Sequence, residues 1–193
     1  MAHPEHLAVL QHGVAHWNAW RGERPRPRPD LSDLDADRDL RALYMSDDPF
    51  DLYLDGINLA DALLDNARFE QVSFVGADLS NAHLGGSVIR YCSFKNARLE
   101  GADLSRAELT GSTVNGCRLG RAMCGDTRLH RLDLSEAEGL ADVEHRFASI
   151  VDVDTLVRTG ASRDRGADLT EVRGFLAAAG VPASYLALAL GAT

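Results

Sequence analysis

The chain has 193 residues, a net charge of −9 from 20 Lys and Arg against 29 Asp and Glu, 45% hydrophobic residues and only 6% aromatics. One domain with appendages fits that length, and the acidity argues against binding nucleic acid through its phosphates. No apolar run approaches the roughly 18 residues of a membrane span, and Met1–Trp20 is too polar for a signal peptide, so the expected location is the cytoplasm.

The first predicted element is a helix over Pro4–Arg21, with Leu7, Leu10, Val14 and Trp17 on one stripe and Pro4 in its first turn. The run Arg24-Pro25-Arg26-Pro27-Arg28-Pro29 ends that helix, because proline removes donors and favours an extended chain. Residues 30–50 read as an irregular acidic lead-in, with Leu31, Leu34, Leu40 and Leu43 available to pack.

From Leu54 to Leu134 every fifth residue is apolar, seventeen positions in unbroken register. The residue two before each is small or apolar, as in Ala77-Asp78-Leu79-Ser80-Asn81 and Ala102-Asp103-Leu104-Ser105-Arg106. A period of five matches neither an α-helix nor a flat strand. A chain wound into a square coil, one pentapeptide per side, returns the same two positions to the interior each time.

The run A-[DN]-L-x-x over about residues 52–137 resembles the pentapeptide repeat family. The resemblance implies a right-handed quadrilateral β-helix with four repeats per coil, a little over four coils in all. Residues 20 apart then stack, giving columns such as Leu59, Leu79, Leu99, Leu119 and an all-alanine column at Ala62, Ala82, Ala102, Ala122. Cys92 and Cys117 fall in small inward positions and Cys124 in a large one, so all three are expected to be buried free thiols in a reducing compartment.

After Ala137 the pattern stops. Asp168 with Glu171 suggests a capping box for a helix bearing Val172, Phe175 and Leu176; Gly180 can end it and Pro182 can open a second helix through Tyr185 to Leu190. Residues 1–51 and 138–193 are thus read as caps on a 52–137 solenoid, whose open ends expose strand edges. The tail holds more apolar residues than one coil end needs, among them Phe147, Ile150, Val153 and Leu156, so it should leave apolar surface near Tyr185–Leu190 for a homodimer or a protein partner. The leader residues His6-Leu7, Gly13-Val14, Trp17-Asn18, Trp20-Arg21 and Arg28-Pro29-Asp30-Leu31, with the tail residues Val153-Asp154-Thr155-Leu156, Phe175-Leu176 and Ala179-Gly180-Val181-Pro182, also resemble a bacterial subgroup of these proteins in which the tail is sometimes followed by a TIR signalling domain, which implies an adaptor.

No catalytic, cofactor-binding or metal-binding residue is assigned. His12 and His16 have an i, i+4 spacing but lack the Glu of a zincin and face away from the Leu7, Leu10, Val14 and Trp17 stripe, so a solvated pair is expected. Asp33, Asp35, Asp37 and Asp39 imitate the start of a calcium loop, yet Arg38 stands where Gly is needed and Tyr44 where Glu is needed. His83 and His130 fall on outward repeat positions without a matched nucleophile.

A non-catalytic interaction scaffold is therefore the leading reading. The family supplies the alternative of a duplex-DNA mimic that binds gyrase or topoisomerase IV and protects against topoisomerase poisons. Charge is uneven for a mimic: Asp55, Asp61, Asp65, Glu70 and Asp78 outnumber Arg68 in residues 52–88, whereas residues 89–137 have eight basic residues against six acidic.

Overall fold

The computed structural model of the chain describes residues 1–23, 28–43, 50, 52–162 and 167–191. Arg24–Pro27 of the proline-rich connector and Tyr44 lie outside them. The N-terminal region contains helices α1 (Pro4–Leu10), α2 (Val14–Glu23) and the single turn α3 (Ala36–Asp39). The centre contains nine short strands: β1 (Leu52–Tyr53), β2 (Arg68–Glu70), β3 (Val72–Ser73), β4 (Val88–Arg90), β5 (Glu108–Thr110), β6 (Met123–Cys124), β7 (Arg128–His130), β8 (Glu144–His145) and β9 (Ile150–Val151). Helices α4 (Val153–Ala161), α5 (Thr170–Ala178) and α6 (Ala183–Leu190) follow.

Each pentapeptide makes one side and one corner of a coil. The carbonyl of the large residue accepts from the backbone N–H three residues on, as in Leu79 O and Ala82 N at 3.0 Å. The fifth residue of every repeat from Gly56 to Arg131 has a positive φ, the mark of a type II turn. Asn and Asp tolerate that region better than most side chains, which explains Asp61, Asn66, Asn81 and Asn96 at corners. At Gly111 the requirement is double, because an added Cβ would also lie 2.8 Å from the Tyr91 ring.

Successive coils pair in parallel at a 20-residue offset. The longest sheet runs β2-β4-β5-β7-β9, with Phe69 opposite Ile89, Ile89 opposite Leu109, and Leu109 opposite Leu129. The fold is a right-handed quadrilateral β-helix. Its interior is the predicted stack: Leu79 and Leu99 are buried and Leu119 packs half-buried below them, while Ala62, Ala82, Ala102 and Ala122 have no exposed surface. Phe74 stacks on Phe94 with centroids 5.1 Å apart, the aromatic part of an otherwise aliphatic column.

Several expectations need correction at the ends. The predicted single helix Pro4–Arg21 is two helices, broken at Gly13 with φ 90°. The start of the lead-in is not irregular: Pro29-Asp30-Leu31-Ser32-Asp33 is one more repeat. Leu31 is fully buried, Asp33 has φ 59°, and Asp30 bridges Leu63 in parallel. Nor does the coil stop at Ala137. Cys124 pairs with His145, and Leu129 with Val151, at offsets of 21 and 22 residues, so insertions hide a further tier from a five-residue count. The result is about five turns, roughly 24 Å of strand spacing. The expected capping box is also absent: Leu169 is the N-cap of α5, and Asp168 accepts from the Thr170 N–H and hydroxyl instead.

Candidate interaction surface

The side chains singled out for chemistry are not assembled into a site. His12 and His16 are exposed with rings 5.0 Å apart, and His12 Nδ1 lies 2.7 Å from the Ala8 carbonyl oxygen. Among the described residues no group of three or more His, Cys, Asp or Glu could hold a metal ion. The Asp33–Asp39 stretch is engaged locally: Asp33 pairs with the N-terminal amine, Asp35 caps α3 by accepting from Arg38 N, and Asp39 pairs with Arg38 at 2.7 Å. His83 Nε2 lies 3.0 Å from the Arg28 guanidinium. His130 has a buried Nε2 with no hydrogen-bond partner among the described residues. Cys92, Cys117 and Cys124 are buried and unpaired. Burial pushes the first two thiols up to about 12 and the third to about 11, which removes the thiolate needed for nucleophilic or metal chemistry.

The solenoid sides carry short polar groups and cross-coil ion pairs: Arg98 with Asp78 at 3.5 Å, Arg90 with Glu108 at 2.8 Å, and Arg118 with Glu138 at 3.5 Å. These pairs are solvent-exposed and contribute little each, but they leave the sides electrically mixed.

The two ends differ from the sides. At the N-terminal end Trp17 Nε1 donates to Asn58 O at 2.7 Å. Asn18 both donates to Gly56 O and accepts from Asn58 N, and Arg21 donates to Ala60 O at 2.7 Å. At the C-terminal end α4 lies on the last coil with its hydroxyl face inward. Thr155 and Thr159 have no exposed surface, and their Oγ1 atoms accept from Leu132 N and Leu134 N at 3.2 and 3.1 Å. Asp152 accepts from Arg131 N, and Ser162 donates to Asp133. A strand edge presents unpaired N–H groups, and an unpaired buried N–H costs about 1–3 kcal/mol. Thr155 and Thr159 are therefore drawn inside, beside Leu156.

That inversion turns apolar side chains outward. Phe147, Ile150 and Val153 do not cover the coil end as the sequence suggested; they are more than half exposed, as are Val157 and Tyr185, and Leu188 is 84% exposed. Between α4 and α6 lies a groove of about 510 Å³ lined by Val153, Leu156, Val157, Gly160, Tyr185 and Leu188 among others, without a charged residue. Its floor is tight, because a Cβ on Gly160 would fall 2.2 Å from Ala189 O. A second hollow of about 340 Å³ continues it past Ile150 and Pro182. On α4, Asp154 pairs with Arg158 and with Arg131 at 3.3 and 3.5 Å. No helix among the described residues is long and apolar enough to cross a membrane.

Two family profiles match the sequence. Both are described as pentapeptide repeats, one of 8 copies over residues 53–90 and one of 9 copies over residues 94–138. No curated protein matches it. Among solved structures, a pentapeptide repeat protein of the Arabidopsis thaliana thylakoid lumen is 20% identical over 61% of this chain and 68% of its own, with a TM-score of 0.39. Rfr23 of the cyanobacterium Cyanothece 51142 is 20% identical over 66% and 67%, with a TM-score of 0.31. QnrB1, a plasmid-mediated fluoroquinolone resistance protein, is 14% identical over 73% and 87%, with a TM-score of 0.28.

Proposed function

Since the chain belongs to the pentapeptide repeat family, we propose that it is a non-catalytic cytoplasmic scaffold that associates through the α4–α6 groove, with a second copy of itself as the occupant. The observation that carries this reading is the uncharged apolar face at one end of an acidic molecule. Five exposed apolar side chains line it, Ile150, Val153, Val157, Tyr185 and Leu188, and a contiguous exposed apolar patch marks an interaction site.

A second copy fits because an isologous contact needs a projection and a recess on the same patch. Leu188 and Tyr185 project, and the groove beside Gly160 recedes. Helix α6, Ala183–Leu190, contains no ionisable group other than Tyr185, so two copies meet there without like-charge repulsion. The buried unpaired cysteines suit a reducing compartment.

The duplex-mimic reading has less support. A mimic should be negative along its length, whereas Arg98, Arg118 and Arg128 project from the lower coils.

The test is Leu188→Asp. Wild-type protein should sediment as a dimer and the variant as a monomer with unchanged β-rich circular dichroism. A wild-type monomer at tens of micromolar, or a variant that remains dimeric, overturns the proposal.

A further inference from the structure

The last tier of the core contains an ionisable residue. His145 pairs with Cys124 at the foot of the column Leu64, Leu84, Leu104, Cys124, in a position where the repeat puts a large apolar side chain. The residue as a whole is half-buried, and its ring lies 4.9 Å from that of Phe175 on α5, so the cap covers that side of the imidazole. Both ring nitrogens are buried, and neither has a hydrogen-bond partner among the described residues.

We propose that His145 makes the C-terminal cap an acid-sensitive lid, closed over a neutral imidazole and released when the imidazole is protonated.

The groups around the ring give a cation nothing to pair with. Cys124 above it is an uncharged thiol, held so by burial, and Phe175 from α5 is apolar. Glu144 and Arg146 flank His145 in sequence and are exposed, and Arg146 turns onto Met123 Sδ. On α5, Glu171 is exposed and Arg173 donates to Gly191 O. Asp142, in the 3-10 turn Leu140–Asp142 that packs on α5, is exposed. Burial alone lowers the His145 pKa below its ordinary value, with no charge contributing. Protonation is then easier in the open state. The closed lid is fully favoured above about pH 6.5, the ordinary histidine value, and loses stability as the pH falls through it toward the lowered one.

Opening the lid would also disturb the α4–α6 groove, but the lid does not depend on that groove binding anything.

Hydrogen exchange provides the test. The Ser149 N–H donates to Ala179 O at the end of α5 and reports on the lid, whereas Glu108 N, bonded to Ser87 O, reports on the solenoid. Between pH 7.5 and 5.5, after correction for intrinsic rates, Ser149 protection should fall by up to about tenfold for each unit by which the pKa is lowered. Glu108 protection should not change. In His145→Leu, Ser149 should keep its protection at pH 5.5. Equal Ser149 protection at both pH values, or an undiminished fall in the variant, overturns the proposal. Should the variant fail to fold, an NMR titration of His145 in the wild type decides: a midpoint below 6.5 that coincides with Ser149 deprotection supports the lid, and a midpoint at or above 6.5 overturns it. Sedimentation at the two pH values reports separately on self-association.

Discussion

The Thr155 hydroxyl oxygen lies 3.2 Å from Leu132 N and 3.1 Å from Leu129 O, so one side chain accepts from one backbone group of the last coil and donates to another. Helix α4 thereby stands in for the strand that a sixth coil would supply. The N-terminal end has a counterpart in Asn18, whose amide bonds Gly56 O and Asn58 N at 2.9 and 2.8 Å. Both ends of the solenoid are closed by side chains that imitate backbone.

Thr155→Val keeps the shape and removes the hydroxyl. It should cost about 1–3 kcal/mol, because the Leu132 N–H is left buried without an acceptor. Urea denaturation should show a lower midpoint, and the Leu132 amide should lose exchange protection while amides of the central coils keep theirs. An unchanged midpoint would show that α4 closes the edge by packing alone.

Asn18→Ala tests the opposite end. A smaller loss of about 0.5–1.5 kcal/mol is expected, because the two bonds are only partly shielded from water. Trp17 and Trp20 are the only tryptophans and both lie on α2, so intrinsic fluorescence should report loosening there before circular dichroism reports any change in the coils.

Leu99→Ala should cost about 2–5 kcal/mol, since stacked coils cannot collapse into the void. Ala102→Leu should destabilise by about 1–3 kcal/mol through overpacking of the alanine column. Thermal melts of the two variants against wild type check both; melts identical to wild type would mean these columns are not the load-sharing core.

His6 gives a second pH dependence. Its Nδ1 accepts from Asp30 N at 2.9 Å, and its ring lies 5.3 Å from Trp20. Burial, the largest influence, lowers its pKa against the smaller raising effects of Asp30 and Glu5. Its contribution to stability is therefore present above about pH 6.5 and is lost as the pH falls toward the lowered value. Tryptophan fluorescence should register loosening of the N-terminal cap over that interval, and His6→Gln should remove the dependence.

Native protein should react slowly with a thiol reagent and take up three equivalents only on unfolding, because Cys92, Cys117 and Cys124 are buried with raised pKa values. Rapid labelling of the folded protein would contradict the core assignment.

The solenoid could be read from the chain because its pattern is local. A large residue every fifth position, a small one two before it and a turn-forming corner recur from Leu54 to Leu134, and each repeat meets its neighbours at a constant offset of 20. The repeat at Pro29–Asp33 has its own signal. In Asp30-Leu31-Ser32, as in Asp78-Leu79-Ser80 and Asp103-Leu104-Ser105, the carboxylate accepts from the serine N–H at 2.9–3.0 Å. It escaped the periodic count because it is out of phase with Leu54.

What only the tertiary structure decided is which face of each cap turns inward. By hydropathy, Val153 and Val157 should be buried and Thr155 and Thr159 exposed; the molecule does the reverse. The deciding force is the row of unpaired N–H and C=O groups at the end of the last coil, a feature of no single segment. It exists only once residues twenty or more apart have stacked, and the groove between α4 and α6 follows from it.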